Sequence, residues 1–226
     1  MLAALYKALA QLPDPRLRRV LVFGILGALA TYLALVALAW WVLAYSTWFE
    51  TGWLDSASHW VVGLAAALLP LPFFPALATT VTSFRLEAVA DAVEERHYPT
   101  LDGPRPQKWA EILMVTLRFL GVTVLVNLLA LPLYALLLFT GLSLALTVVL
   151  NGYLLGREYF ELVALRRLPP REAHLLFRNR LGYWWLAGSA IALIFAVPVL
   201  NLAAPVLGAA VMVHRFQALR PVPDRV

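Results

Sequence analysis

The sequence predicts an all-α integral membrane protein with one helical domain over residues 1–226. Of these residues, 62% are hydrophobic and only 14% are charged, whereas soluble domains average about 25% charged residues. The hydrophobic residues form charge-free tracts longer than the roughly 20 residues that one helical crossing of a bilayer needs. Prolines interrupt three of these tracts. We therefore expect spanning helices, helical hairpins whose tips lie inside the membrane, and amphipathic helices on its surface.

The first residues predict a surface helix followed by the start of a spanning helix. Leucines recur at helical spacing, which is typical of a short helix lying on the membrane: Leu2, Leu5, Leu9 and Leu12. Asp14 is a good N-cap for the next helix, and Pro15 is a good first helical residue.

A charge-free tract from Val20 to Phe49 predicts the first spanning helix, with an aromatic belt at its far end formed by Trp40, Trp41, Tyr45 and Trp48. We expect the following segment, Glu50–His59, to be a loop, and it holds acidic residues but neither lysine nor arginine. Lysine and arginine cluster before the tract. The positive-inside rule then places the N-terminus in the cytoplasm and this loop in the periplasm.

The next charge-free tract, Trp60–Phe84, contains three prolines that predict a kink or break: Pro70, Pro72 and Pro75. A helix leaving the membrane should follow, with an apolar stripe formed by Leu86, Val89, Ala90 and Val93. Its opposite face carries Glu87, Asp91 and Glu94. We expect that acidic face to be solvated, since helical spacing alone does not bring three carboxylates onto one metal ion.

The 38 residues between Arg118 and Arg157 carry no charge. They are too many for one crossing and few for two. We therefore predict a hairpin of short helices with its tip at Pro132–Gly141. Asn127 and Asn151 lie in or near this tract, and buried amides in lipid usually form hydrogen bonds between helices. A pore-lining role for these two residues is the alternative.

A second hairpin is predicted in the charge-free tract Leu181–Val213. Pro198 disfavours helix at the residue before it. Asn201 can form a hydrogen bond with the backbone in a turn, and Pro205 can open the second helix. A turn inside the bilayer must be covered by protein or must line a water-filled cavity. The tip should therefore face other helices, other subunits or a pore, and two complete crossings are the alternative.

The positions of lysine and arginine in the rest of the chain predict the same orientation in the membrane. We expect both termini, the loop Tyr98–Gln107 and the turn Leu168–Arg171 to be cytoplasmic. The sequence has no cysteine, which excludes disulfides and thiolate chemistry. Its four histidines match no catalytic or metal-binding motif. We expect no catalytic residue, no metal, no cofactor and no nucleic-acid partner.

Three segments carry a resemblance to a known family. Pro15–Arg19 resembles the Pro-Gly-Leu-Arg-Arg entry of the CysZ sulfate permeases, a family that also includes the eukaryotic etoposide-induced membrane proteins. Asn151–Leu154, with Arg157–Tyr159 after it, resembles the family's helix that leads to its last hairpin. Val197–Asn201 and Ala204–Ala209 resemble its C-terminal Ile-Pro-x-x-Asn and Ala-Pro-x-x-Gly-Ala pattern.

The resemblance implies two long transmembrane helices and two partly inserted helical hairpins, assembled as a homo-oligomer in a bacterial inner membrane. It implies a sulfate channel or permease that supplies cysteine synthesis. The family's sulfate-binding Gly-Leu-Arg-Arg falls here on Arg16, Leu17, Arg18 and Arg19. Arg16 replaces the glycine, which adds charge but removes close access to the backbone.

Two alternatives stay open for these residues and for the protein. A helix N-terminus with Arg18 and Arg19 beside it suits an oxyanion, because N–H groups and guanidinium groups converge there. The same arginines could instead only anchor the helix at the cytoplasmic surface. The protein as a whole could be an oligomeric membrane scaffold without transport activity.

Overall fold

The computed structural model describes residues 1–45, 52–68, 71 and 74–219, and every regular element in these ranges is helical. In chain order the helices are α1 Leu2–Gln11, α2 Pro15–Ala44, α3 Gly52–Leu68, α4 Phe74–Ser83, α5 Leu86–His97, α6 Trp109–Leu137, α7 Ser143–Ala164, α8 Pro170–Asn179, α9 Leu181–Ala196, α10 Pro198–Asn201 and α11 Ala204–Gln217. The all-α prediction is confirmed for this part of the chain.

The N-terminal elements form where the sequence predicts them. The carboxylate of Asp14 caps α2 by accepting a hydrogen bond from the N–H of Arg16 at 2.9 Å, and Pro15 is the first residue of that helix. In α1 the buried residues are Ala4, Ala8 and Gln11 rather than the leucines. Small side chains let α1 pack closely on α11. Leu2 and Leu9 remain exposed and available to a lipid surface, whereas Leu5 packs against the core.

α2 and α3 correct the predicted first loop. The outer end of the predicted first span and the residues 46–51 lie outside the described residues. The part of the Glu50–His59 segment that is described is helical, because α3 already begins at Gly52. α3 folds back along α2, and the rings of Trp40 and Trp60 meet edge to face at 5.6 Å. Gly63 makes this approach possible, since a Cβ there would lie 2.6 Å from the Trp40 ring.

The proline-rich tract is divided into two helices, as predicted. α3 ends at Leu68 and α4 begins at Phe74. Pro70 and Pro72 lie outside the described residues. α4 packs along α2, where Gly24 and Gly27 leave room for Thr82 and Val81.

The first predicted hairpin has longer helices than expected. α6 has 29 residues and passes through Pro132 without a break, and α7 has 22 residues. Their lengths are about 43 and 33 Å, so both exceed the roughly 30 Å of a bilayer core. The expectation of short helices is therefore wrong for this pair. The turn forms at Gly141, the last residue of the predicted tip, whose φ of 71° suits glycine.

The second predicted hairpin has the short helices that were expected. α9 has 16 residues and α11 has 14, which correspond to about 24 and 21 Å. Val197 is extended, with φ −93° and ψ 115°, as Pro198 after it requires. Pro205 lies in the first turn of α11. How deeply the hairpin enters a membrane stays a prediction.

α11 forms the centre of the core. Every residue from Ala204 to His214 is buried. α5, α1, α7 and α9 pack around it. Large side chains from these helices fill the remaining space, among them the fully buried Trp184 and Ile191.

α7 and α9 approach each other more closely than side chains would allow. A Cβ on Gly188 would lie 2.0 Å from the carbonyl oxygen of Gly152 and 2.3 Å from the backbone nitrogen of Gly156. Small residues at a crossing let two helix backbones touch, which is common between helices in membranes. The backbone of α7 is therefore in direct contact with that of α9.

Two of the described helices are long and apolar enough to cross a membrane: Pro15–Leu43 and Trp109–Leu137. Only 6% of the apolar window in α6 is buried within the chain. Many leucines along α6 are exposed, for example Leu128 and Leu129. Apolar surface of this extent needs lipid or other subunits to cover it.

We expect Gly188→Ala to destabilise the protein by about 1–3 kcal/mol, because backbone atoms cannot move aside as a flexible side chain can. The midpoint of thermal unfolding in detergent should fall by several degrees. Gly182→Ala is the matched control in the same helix, since nothing lies within 4 Å of the added Cβ. An unchanged midpoint for Gly188→Ala would contradict the close helix contact.

Candidate anion site

A cavity of about 360 Å³ lies between the first turns of α2 and the first turns of α5. Helical spacing places residues of one face of each helix in its wall. The lining residues are Arg16, Arg19, Val20 and Phe23 on the α2 side, and Arg85, Ala88 and Asp91 on the α5 side. Three guanidinium groups thus border one space.

Two of these three arginines have no acidic partner among the described residues. The guanidinium of Arg85 stacks over the Phe23 ring, 4.7 Å from its centre. Neither Arg85 nor Arg19 forms an ion pair with any residue in the described part of the chain. Their charges are therefore available to an anion in the cavity.

The other charged residues of the wall are already paired. Arg16 forms a salt bridge with Glu95, which is exposed and lies on α5. Asp91 forms a salt bridge with Arg166, which follows α7. Each of these pairs removes most of one charge from the cavity, so Arg19 and Arg85 dominate its electrostatics.

The four residues taken from the family motif do not act as one group. Arg16 and Arg19 line the cavity, whereas Leu17 is fully buried and supports α2 from behind. Arg18 is exposed and is not part of the cavity wall. Successive helical residues are rotated by about 100°, which is why neighbours in the motif face different directions.

The start of α2 is closed by the protein's own groups. The N–H of Arg16 donates to the Asp14 carboxylate, and the N–H of Arg18 donates to the Asp14 carbonyl at 2.9 Å. The bond from the Arg16 N–H lowers the pKa of Asp14, and Arg96 lowers it further. Both N–H groups are therefore paired within the protein, and an anion here would rely on side chains.

A buried charge network holds α5 in place beside this cavity. Glu94 is buried and accepts hydrogen bonds from Arg166 at 3.2 Å and from Arg167 at 2.6 Å. Both arginines come from the segment after α7. The predicted solvated acidic face is therefore wrong for Glu94, because this carboxylate is removed from water and neutralised by arginines distant in sequence.

The predicted hairpin and pore residues lie apart from the cavity. Asn127 is exposed and donates to the carbonyl of Thr123 in its own helix at 2.8 Å, so within this chain it does not join helices. Asn151 is half-buried and forms no side-chain hydrogen bond with the described residues. Asn201 uses its backbone N–H in the turn, whereas its side-chain oxygen is buried without a partner there.

Sequence reasoning missed Arg85 as a site residue. One pattern could have indicated it. Arg19 is the last charge before the apolar tract of α2, and Arg85 is the first charge after the apolar tract that ends in α4. Because α2 and α4 pack together, the two boundaries should lie at similar depth in a membrane.

The protein family described as "Sulfate transporter CysZ/Etoposide-induced protein 2.4" matches residues 4–205, which include most of α1, all of α2, the cavity and the start of α11. The chain belongs to this family. The family description and the apolar helices together indicate a membrane protein of a transporter family. No curated protein and no solved structure matches the chain.

The charged side chains of this family member determine which ligands the cavity can hold. Among the residues that the structure describes, no three histidine, aspartate or glutamate side chains are grouped so that they could hold a metal ion. Arg19 and Arg85 offer planar donors that match an oxyanion. The arrangement can therefore hold a small anion.

We expect Glu94→Gln to lower the stability by about 3–5 kcal/mol, since it leaves two buried arginines without a full counter-charge. The measurement is the thermal midpoint of the purified protein, which should fall by roughly 10 °C. Glu95→Gln is the neighbouring control, because that carboxylate is 62% exposed and exposed pairs contribute little. Equal midpoints for the two variants would contradict the structural role of the buried network.

Proposed function

We propose that this protein is a sulfate channel or permease of a bacterial inner membrane and that it supplies sulfate for cysteine synthesis. Membership of the sulfate transporter family supports this function. The single structural observation that carries it is the cavity with two uncompensated arginines at the start of α2 and α5.

Arg19 and Arg85 are the proposed anion-binding residues. A sulfate dianion matches two unpaired guanidinium groups in charge. Each guanidinium can form two parallel charge-assisted hydrogen bonds with sulfate oxygens. Arg16 would add positive potential at the rim, reduced by its salt bridge with Glu95. Leu17 supports the helix, and Arg18 contributes to the general positive surface and to orientation.

The cavity is proposed to open at the cytoplasmic surface. One charge-free tract begins at Val20, just after Arg19, and another ends at Phe84, just before Arg85. The cavity therefore lies where these two apolar tracts meet charged residues. The surrounding excess of arginine favours the cytoplasmic side. Both termini and the loop Tyr98–Gln107 would then share this side.

The path across the membrane is proposed to form between subunits of a homo-oligomer. α9 and α11 are too short to span a bilayer core, and the turn at Pro198, Asn201 and Pro205 would need cover from protein or water. The outward face of α6, which includes Asn127, offers further surface for assembly or for lipid.

A membrane scaffold without transport activity is the second candidate, and the extensive outward apolar surface favours it. The two candidates differ in sulfate flux. Radiolabelled sulfate uptake into proteoliposomes, compared with empty liposomes and with other anions as competitors, separates them. Absence of flux with correctly inserted protein would favour the scaffold.

We expect Arg19→Gln and Arg85→Gln each to weaken sulfate binding about tenfold to a hundredfold, because each removes charge-assisted hydrogen bonds. Calorimetry with sulfate on purified protein measures the affinity. Arg18→Gln is the matched control, since it removes the same charge one residue away but outside the cavity. If all three variants weaken binding equally, the effect is general electrostatic attraction and the cavity is not the site.

Glu95→Gln should have the opposite effect on sulfate affinity. Removing this carboxylate frees Arg16 at the edge of the cavity, so we expect sulfate to bind several-fold more tightly at low ionic strength. The gain should shrink as salt is added, because both side chains are exposed. Weaker sulfate binding by Glu95→Gln would contradict the proposed electrostatics.

A further inference from the structure

A second basic cavity lies on another side of the molecule, between α6, α7 and α8. Its wall includes Arg118 of α6, Arg157 and Glu161 of α7, and His174 of α8. None of these residues lines the cavity between α2 and α5.

The charged groups of this cavity have a fixed geometry. The Nη2 of Arg118 donates to the Nε2 of His174 at 3.3 Å. The Nε of Arg157 donates to the carboxylate of Glu161 at 2.9 Å, and the Arg157 side chain is only 7% exposed. Arg157 also lies over the Phe119 ring, 5.6 Å from its centre. These contacts orient both guanidinium groups before any ligand arrives.

Positive charge exceeds negative charge in this cavity. Glu161 is the carboxylate in the wall, and it already pairs with Arg157. Arg118 forms no ion pair with any residue in the described ranges. Burial lowers the pKa of His174, and the nearby Arg118, Arg178 and Arg157 lower it further. The histidine is therefore neutral near pH 7 and acts as an acceptor that positions Arg118.

The size of the cavity limits what can bind. Its volume is about 40 Å³, which is room for about three water molecules. A single tetrahedral oxyanion group fits such a space, whereas a larger organic anion must leave most of its structure outside.

The surroundings indicate where such a group comes from. Leu117 and Leu175 do not line the cavity, but they lie at the same height on α6 and α8 as Arg118 and His174, and they are 58% and 57% exposed. α8 itself is amphipathic, with Ala173 and Phe177 buried and with Arg178 in its last turn. Basic pockets beside exposed apolar side chains are typical binding places for anionic lipid headgroups at a membrane surface.

We propose that this cavity binds the phosphate group of an anionic phospholipid, with Arg118 as the principal donor and His174 as a positioning residue. Arg157 supplies positive potential from the buried wall of the cavity. The acyl chains of the lipid lie along the exposed leucines of α6 and α8. A lipid phosphate group and a free inorganic anion are both tetrahedral oxyanions, so a free anion is the other ligand that the cavity could hold. The site would fasten α8 and the α6–α7 pair to one leaflet of the bilayer.

The test measures thermal protection of the detergent-purified full-length protein by phosphatidylglycerol, with phosphatidylcholine as the zwitterionic control. We expect phosphatidylglycerol to raise the thermal midpoint and phosphatidylcholine to leave it nearly unchanged. In Arg118→Gln the half-effective lipid concentration should rise about tenfold to a hundredfold, the loss expected for charge-assisted hydrogen bonds. Arg118→Lys should retain part of the protection, because it keeps the charge.

Arg18→Gln is the matched control, since it removes an exposed arginine that lines neither cavity. Protection that is equal in the native protein, Arg118→Gln and Arg18→Gln overturns the proposal. If Arg118→Gln does not fold, His174→Leu provides the same test, because it removes the acceptor that positions Arg118. Titration with inorganic phosphate distinguishes the sources: protection that depends on Arg118 and needs no lipid supports the oxyanion site but assigns it to a free anion.

Discussion

The backbone contact between α7 and α9 is the constraint on which much of the structure depends. Gly188 brings α9 against Gly152 and Gly156 of α7 with no side chain between them. This approach forms a rigid pair, and α11 packs against both of its members. α11 in turn buries nearly all its residues and provides the surface on which α1 and α5 lie. The candidate anion cavity at the start of α2 and α5 is therefore supported by a tight helix crossing far from it in sequence.

Charge is distributed in two ways in this protein. Buried charges are paired, as Glu94 is with Arg166 and Arg167, because an unpaired charge removed from water is costly. At the two basic cavities, Arg19, Arg85 and Arg118 have no carboxylate partner among the described residues. The paired network fixes α5, and α5 forms one wall of the first cavity. The ion pairs of Glu94 thus hold in place the helix that forms part of a cavity with unpaired arginines.

Much of the fold was predictable from local patterns. Asp14 and Pro15 determine where α2 begins, and the apolar stripe of α5 is buried as its spacing predicts. A comparison of Pro198 with Pro132 shows the limit of such local patterns. Pro198 follows an extended residue and ends α9, whereas Pro132 lies within the continuous helix α6. Proline in an apolar helix can be tolerated because other groups satisfy the freed backbone carbonyl, so proline alone does not decide between a turn and a helix.

The sequence by itself determined the all-α class, the apolar tracts and the arginines at their ends, because helical periodicity and the cost of charge in an apolar environment are local properties. It also carried the family motif that includes Arg16 and Arg19. Only the tertiary structure decided which arginines share a cavity. Arg85 joins Arg19, and Arg18 does not, because helix packing and the 100° rotation between residues select the side chains that face each other. Such selection depends on contacts between distant segments, which no local pattern specifies.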